Sequence, residues 1–97
     1  MKKFEWATVE HTQIENNIFH TLSLLEVLED DKRQFWGSIN LYPNPEWKYD
    51  FAAYNKDRIL CSPGISADTI DEAKEAIEEY LTINEIIQEG DEIEETL

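Results

Sequence analysis

The sequence predicts an α+β fold: an antiparallel β-meander of four to five strands, one face covered by a C-terminal amphipathic helix. Three observations predict it. Two aromatic-rich runs alternate with period two on either side of Pro43-Asn44-Pro45, and a capped run with apolar residues three and four apart follows Ser62-Pro63-Gly64. Hydrophobic residues make up 41% of the 97, with three Trp, four Tyr and four Phe, too many for a wholly disordered chain and enough for one modest core. Residues 1–90 read as a single domain and 91–97 as an acidic frayed tail.

Phe4 to His11 reads as the first strand, turning through Gln13 to Asn17. Residues 14–29 admit two readings. Ile14, Ile18, Leu22, Leu25 and Leu28 lie at helical spacing behind Thr12-x-x-Glu15, which has the form of a capping box. Asn16-Asn17, however, suits a turn and makes a poor helix interior. A strand from Phe19 to Glu29 is preferred, because the polar stretch Asp30-Asp31-Lys32-Arg33 then forms a hairpin tip leading directly into Phe35.

From Gln34 to Tyr42, Phe35, Gly37, Ile39 and Leu41 alternate with Trp36, Ser38, Asn40 and Tyr42. From Trp47 to Tyr54, Trp47, Tyr49, Phe51 and Ala53 alternate with Lys48, Asp50, Ala52 and Tyr54. Aromatic and β-branched enrichment makes both runs strands, joined as an antiparallel hairpin whose two prolines demand a loop wider than two residues. Ile59-Leu60-Cys61 offers a further short strand after the Asn55-Lys56-Asp57 turn.

Thr69-x-x-Glu72 opens the helix as a capping box. Ile70, Ala73, Ile77, Tyr80 and Leu81 line its apolar face; Asp71, Glu72, Glu75, Glu78 and Glu79 line the remainder, with Lys74 placed to offset Asp71 and Glu78. Thr82-x-x-Glu85 is a second cap signal, so the helix can break near Thr82 into a short second one carrying Ile86 and Ile87 and stopped by Gly90. The helix stripe is assigned to Phe35, Ile39, Leu41, Tyr49, Phe51 and Ala53, leaving Trp36, Tyr42, Ala52 and Tyr54 on the opposite face. The stretch from Ser66 to Ala76, Ser-Ala-Asp-Thr-Ile-Asp-Glu-Ala-Lys-Glu-Ala, resembles the helix start of many small βββα proteins, HicB-like antitoxins among them. That resemblance implies strand-then-helix order.

Charge narrows the function classes. The chain carries 22 acids against 8 bases, a net −14, and twelve of those acids lie after Arg58 with Lys74 as their one base. Such a surface repels nucleic acid and anionic lipid and favours basic partners. No apolar run approaches the roughly 18–20 residues of a membrane span. The lone Cys61 can make no internal disulfide, so a cytoplasmic protein is expected. His11 and His20 lack metal-ligand spacing, and Asp91-Glu92 after Gly90 lacks the alternating pattern of a calcium loop. Carboxylates along one solvated helix face share one environment and so cannot divide acid and base roles. No catalytic group, metal site or cofactor is expected.

The expected function is therefore protein interaction: an inhibitor, of the kind phages encode, that binds a basic nucleic-acid-binding surface by carboxylate mimicry of phosphates. The candidate contacts are Asp68, Asp71, Glu72, Glu75, Glu78 and Glu79, extended by Glu85, Glu89, Asp91 and Glu92, with Trp36, Tyr42 and Tyr54 as aromatic anchors. The alternative is a HicB-antitoxin-like or housekeeping scaffold that forms a homodimer through a sheet edge or aromatic face, its acidity serving solubility.

Overall fold

Strand pairing begins with β1 (Lys3–Thr12) and β2 (Ile18–Val27), which run antiparallel from Phe4↔Glu26 to Thr12↔Ile18. A computed structural model describes residues 1–12, 18–41, 49–60 and 66–95, and only the backbone of 10–12, 18 and 19. Period-two alternation turns Phe4, Trp6, Leu22 and Leu24 to one face, where all four are buried. Of residues 14–29, Ile18 to Val27 are strand, as the Asn16-Asn17 argument predicts, while Leu28 and Glu29, expected within it, already belong to the turn that follows; the turn through Gln13 to Asn17 lies outside the described residues. The hairpin tip at Glu29–Asp31 is a tight turn in which the Lys32 N–H donates to the Glu29 carbonyl at 3.3 Å and Asp30 and Asp31 hold φ 61° and 60°, a left-handed region that Asp tolerates.

β3 (Arg33–Asn40) pairs with β2, and β4 (Tyr49–Ala53) pairs with β3, both antiparallel. The β2–β3 register carries a bulge. Leu24 faces Gly37 and Leu25 faces Phe35, so Trp36 is the inserted residue. One extra residue reverses the alternation on the far side. Ile39 and Gly37 point to the core as expected, but Phe35 turns outward and is 39% exposed, while Trp36 enters the core at 6%. The placement of Phe35 under the helix and Trp36 on the opposite face is therefore corrected. Trp36 is held there by its Nε1–H donating to Glu26 Oε1 at 3.0 Å and by the Arg58 guanidinium 4.6 Å from its ring centroid.

The predicted turn at Asn55-Lys56-Asp57 is closed by Asn55 Oδ1, which accepts from the Asp57 and Ile59 N–H groups. Beyond it the expected strand reduces to a single bridge, Tyr54↔Leu60, and Cys61 lies outside the described residues. The Pro-Asn-Pro-Glu loop does too.

β5 (Ser66–Ala67) adds to β4 and leads into α1 (Ile70–Ile83), giving the strand-then-helix order implied above. Thr69 Oγ1 accepts from the Glu72 N–H at 3.1 Å, and Glu72 Oε2 accepts from the Asp68 N–H at 3.3 Å, completing the capping box one residue wider than its minimal form. The three-and-four spacing buries Ala73, Ile77 and Leu81 completely. Each of the two larger side chains contributes about 1.5–3 kcal/mol by leaving water. α1 lies against β3, β4 and β5, and Gly37 makes that approach close: a Cβ there would sit 2.9 Å from both Ile77 Cγ2 and the Ala52 carbonyl oxygen.

The helix does not restart at Thr82. Thr82 Oγ1 is committed within α1, donating to the Glu78 carbonyl at 2.7 Å. Glu85 instead adopts φ 62°, the Ile86 N–H donates to the Leu81 carbonyl at 2.9 Å, and the Glu85 N–H donates to the Thr82 carbonyl at 3.1 Å. This is a Schellman cap, with the buried pair Leu81 and Ile86 as its apolar contact. Ile86 and Ile87 enter the core without a helix.

Residues 92–95, expected within a frayed tail, form β6 (Glu92–Glu95) instead. β6 pairs parallel with β1, Phe4↔Ile93 and Trp6↔Glu95 among its registers, so among the described residues the sheet is mixed and six-stranded in the order β5-β4-β3-β2-β1-β6. The fold class is α+β; the four-to-five-strand, wholly antiparallel detail is corrected. Few apolar residues hold β6. Asp91 accepts from the Lys2 and Gln88 N–H groups, both at 2.8 Å, and Lys3 pairs with Glu94 at 3.2 Å.

Candidate functional site

A 3.6-residue period fixes where each charge on α1 points. With Ala73, Ile77 and Leu81 inward, Glu78, Asp71, Glu75, Glu79 and Glu72 fall on an outer arc of roughly 120°. Asp71, Glu72, Glu75 and Glu79 are exposed and Glu78 is half-buried at the arc's edge, while Asp68 is exposed just ahead of the cap. Spacing alone thus places these acids correctly. Glu85, Glu89 and Glu92 are exposed beyond the helix, and Asp91 is half-buried against Lys2.

Lys74 forms its ion pair with none of these acids, although its charge still acts on Glu78. It is 5% exposed, its Nζ 3.1 Å from Glu95 Oε1 and 5.8 Å from the Trp6 ring centroid. The ammonium is thereby spent on β6 and on the face of an indole. The side-chain ion pairs among the described residues are Lys3–Glu94, Arg33–Glu5 and Lys74–Glu95, so Asp71, Glu72, Glu75 and Glu79 have no basic partner there.

Glu78 marks the seam between α1 and the sheet. Desolvation pushes its carboxyl above the usual range, a hydrogen bond from the Trp6 side chain and the charge of Lys74 pull it down, and Glu95 and Glu75 push it up again. Asp91 moves the other way, because backbone N–H groups of Lys2 and Gln88 donate to its carboxylate.

The aromatic candidates separate. Trp36 is a core residue, Tyr42 lies outside the described residues, and Tyr54 is half-buried with its ring 5.8 Å from that of Phe35. Sequence reasoning also missed a concavity on the sheet face opposite α1. Ala7, Ser23, Ser38 and Ala52 are register partners on four adjacent strands, which puts a row of small side chains across the sheet. A hollow of about 430 Å³ lies over this region, lined by Val9, Thr21, Ser23, Leu25, Phe35, Ser38 and Asn40. None of these lining residues is ionisable. The row becomes visible only once the registers are known.

Among the described residues, no three His, Cys, Asp or Glu side chains converge as a metal-binding group, and no helix is long and apolar enough to cross a membrane. Compared with protein-family models, curated proteins and solved structures, the chain matches none.

Proposed function

We propose that this protein is a small acidic interaction module that binds a basic surface of a partner protein. In its sharpest form it is a cytoplasmic inhibitor of the phage-encoded kind, occupying a nucleic-acid-binding surface with carboxylates in place of phosphates. One observation supports the reading above others: Asp71, Glu72, Glu75 and Glu79 stand exposed on one arc while Lys74 is buried and engaged by Glu95. Asp71, Glu75 and Glu79 follow one another at about 6 Å along the helix axis. A row of this kind steers a basic partner into encounter and loses strength with salt.

Capture of partners from the native cell with the wild-type protein and with a Glu75→Lys/Glu79→Lys variant tests this. Salt-released recovery of a nucleic-acid-handling protein by the wild type alone is the expected result. Equal capture by both proteins, or recovery of nothing but the bait itself, sinks the proposal.

A second reading, a self-associating scaffold, is favoured by a separate patch. Phe35, Ile59 and Leu60 are exposed, and Tyr54 joins Phe35 to Leu60 through a ring contact and a backbone bridge. Under that reading sedimentation shows a dimer that survives the Glu75→Lys/Glu79→Lys change and dissociates on Phe35→Ala/Tyr54→Ala.

A further inference from the structure

The outer edge of β6 ends the sheet, and among the described residues nothing pairs with it. Its backbone polarity follows from one hydrogen bond. The Glu92 N–H donates inward to the Lys2 carbonyl at 3.1 Å, so strand alternation turns the N–H and C=O of Ile93 and Glu95 outward. An open row of this kind is a template for an added strand.

Side chains along the edge select what is added. Ile93 and Glu95 share the face of Phe4 and Trp6, where Ile93 packs against the core and Glu95 is already engaged by Lys74. Glu92 and Glu94 occupy the other face; Glu94 is shared with Lys3, and Glu92 has no basic partner among the described residues. A second copy of this chain would set Glu92 and Glu94 against like charges, so self-pairing at this edge is opposed. A strand alternating basic with apolar residues meets both faces.

We infer that β6 is an acceptor edge for an extended basic-apolar segment of the partner protein, which adds as a seventh strand with its Lys or Arg side chains beside Glu92 and Glu94 and an apolar side chain beside Ile93. This rests on the basic-partner reading above and specifies how the partner engages. Main-chain hydrogen bonds to Ile93 and Glu95 supply register, and the carboxylates supply sign selectivity.

The test uses the intact protein and a short synthetic peptide alternating Lys and Val, alongside the same peptide N-methylated at alternate backbone nitrogens. Methylation keeps every charge and removes the donors that a strand addition needs. The expected result is salt-sensitive binding of the first peptide, slowed amide exchange at Ile93 and Glu95, and affinity about tenfold weaker or worse for the methylated form. Equal binding of both peptides overturns edge addition and leaves the acidic-surface reading standing. Failure of both peptides to bind overturns edge addition; the capture experiment, which needs no peptide, then decides the acidic-surface reading separately.

Discussion

Replacing Glu85 by Gly is expected to stabilise the protein, and the amount can be worked from the cap geometry. Glu85 holds φ 62° at the C′ position of the Schellman motif that ends α1. A side chain in that conformation costs about 1–2 kcal/mol, because Cβ crowds the carbonyl oxygen. Glycine removes the crowding but loses about 0.5–1 kcal/mol of extra chain entropy on folding. Losing a carboxylate from the negative end of the helix returns about 0.3 kcal/mol at an exposed site. The net gain is about 1 kcal/mol, which in a domain of this size raises the melting midpoint by about 4–8 °C. Thermal and urea unfolding of Glu85→Gly and Glu85→Gln separate the two causes. The Gln variant keeps the backbone penalty and loses only the charge, so it should gain a few tenths of a kcal/mol. A Gly variant no more stable than the Gln variant would refute the claim that the cap is strained.

Gly37→Ala should destabilise by about 1–3 kcal/mol, since the added Cβ meets the Ala52 carbonyl and Ile77 Cγ2 at 2.9 Å and only the side chain can give way; a neutral urea midpoint would show that α1 sits farther from the sheet. Glu78 has a folded pKa raised by burial above its ordinary 4.5, so the folded state binds its proton more tightly than the unfolded one. Its stabilising contribution is therefore full below 4.5 and lost as pH rises through the raised folded value. Mild acidification should stabilise the wild type more than Glu78→Gln, and identical pH profiles would remove Glu78 from the account. For Asp91 the sign reverses: hydrogen bonds lower its pKa below 3.8, so its contribution is present above that value and lost as pH falls through the lower folded one. Moderate salt should raise the melting midpoint of a chain with net charge −14, and a midpoint that falls with added salt would count against carboxylate self-repulsion.

What the sequence revealed depended on the range of the interaction. α1 was legible because its determinants are local: the Thr69 and Glu72 cap and a stripe repeating every three or four residues. The exposure of Asp71, Glu72, Glu75 and Glu79 followed from the same period. β3 was legible as a strand but not in its phase, since a single inserted residue exchanges the faces of Phe35 and Trp36 while the period-two pattern of residue types runs on unbroken past it. Only Gly37, beside that insertion, hinted at a break. β6 was not legible at all. Its four residues contain one apolar side chain, and its partners Lys2, Lys3 and Lys74 are distant in sequence. The role of Lys74 was legible only in part: its charge does act on its helical neighbour Glu78, whereas its ion-pair partner Glu95 lies 21 residues away in the chain.

The parallel β1–β6 pairing also orders the events of folding. Bringing Lys3 to Glu92 in an open chain closes a loop of about 90 residues, an entropic cost near 4 kcal/mol. Once β1 to β4 and α1 have assembled, the chain between Ile83 and Glu92 is a short tether, and most of that cost has already been met by other contacts. β6 is therefore expected to join after β1 to β4, an order that pulsed amide exchange at the inward-facing Glu92 and Glu94 N–H groups would check. Loss of β6 would release Lys74 from Glu95 and leave Phe4 and Trp6 without their strand neighbours Ile93 and Glu95, so that an ammonium and two aromatic rings lose their cover on that side together.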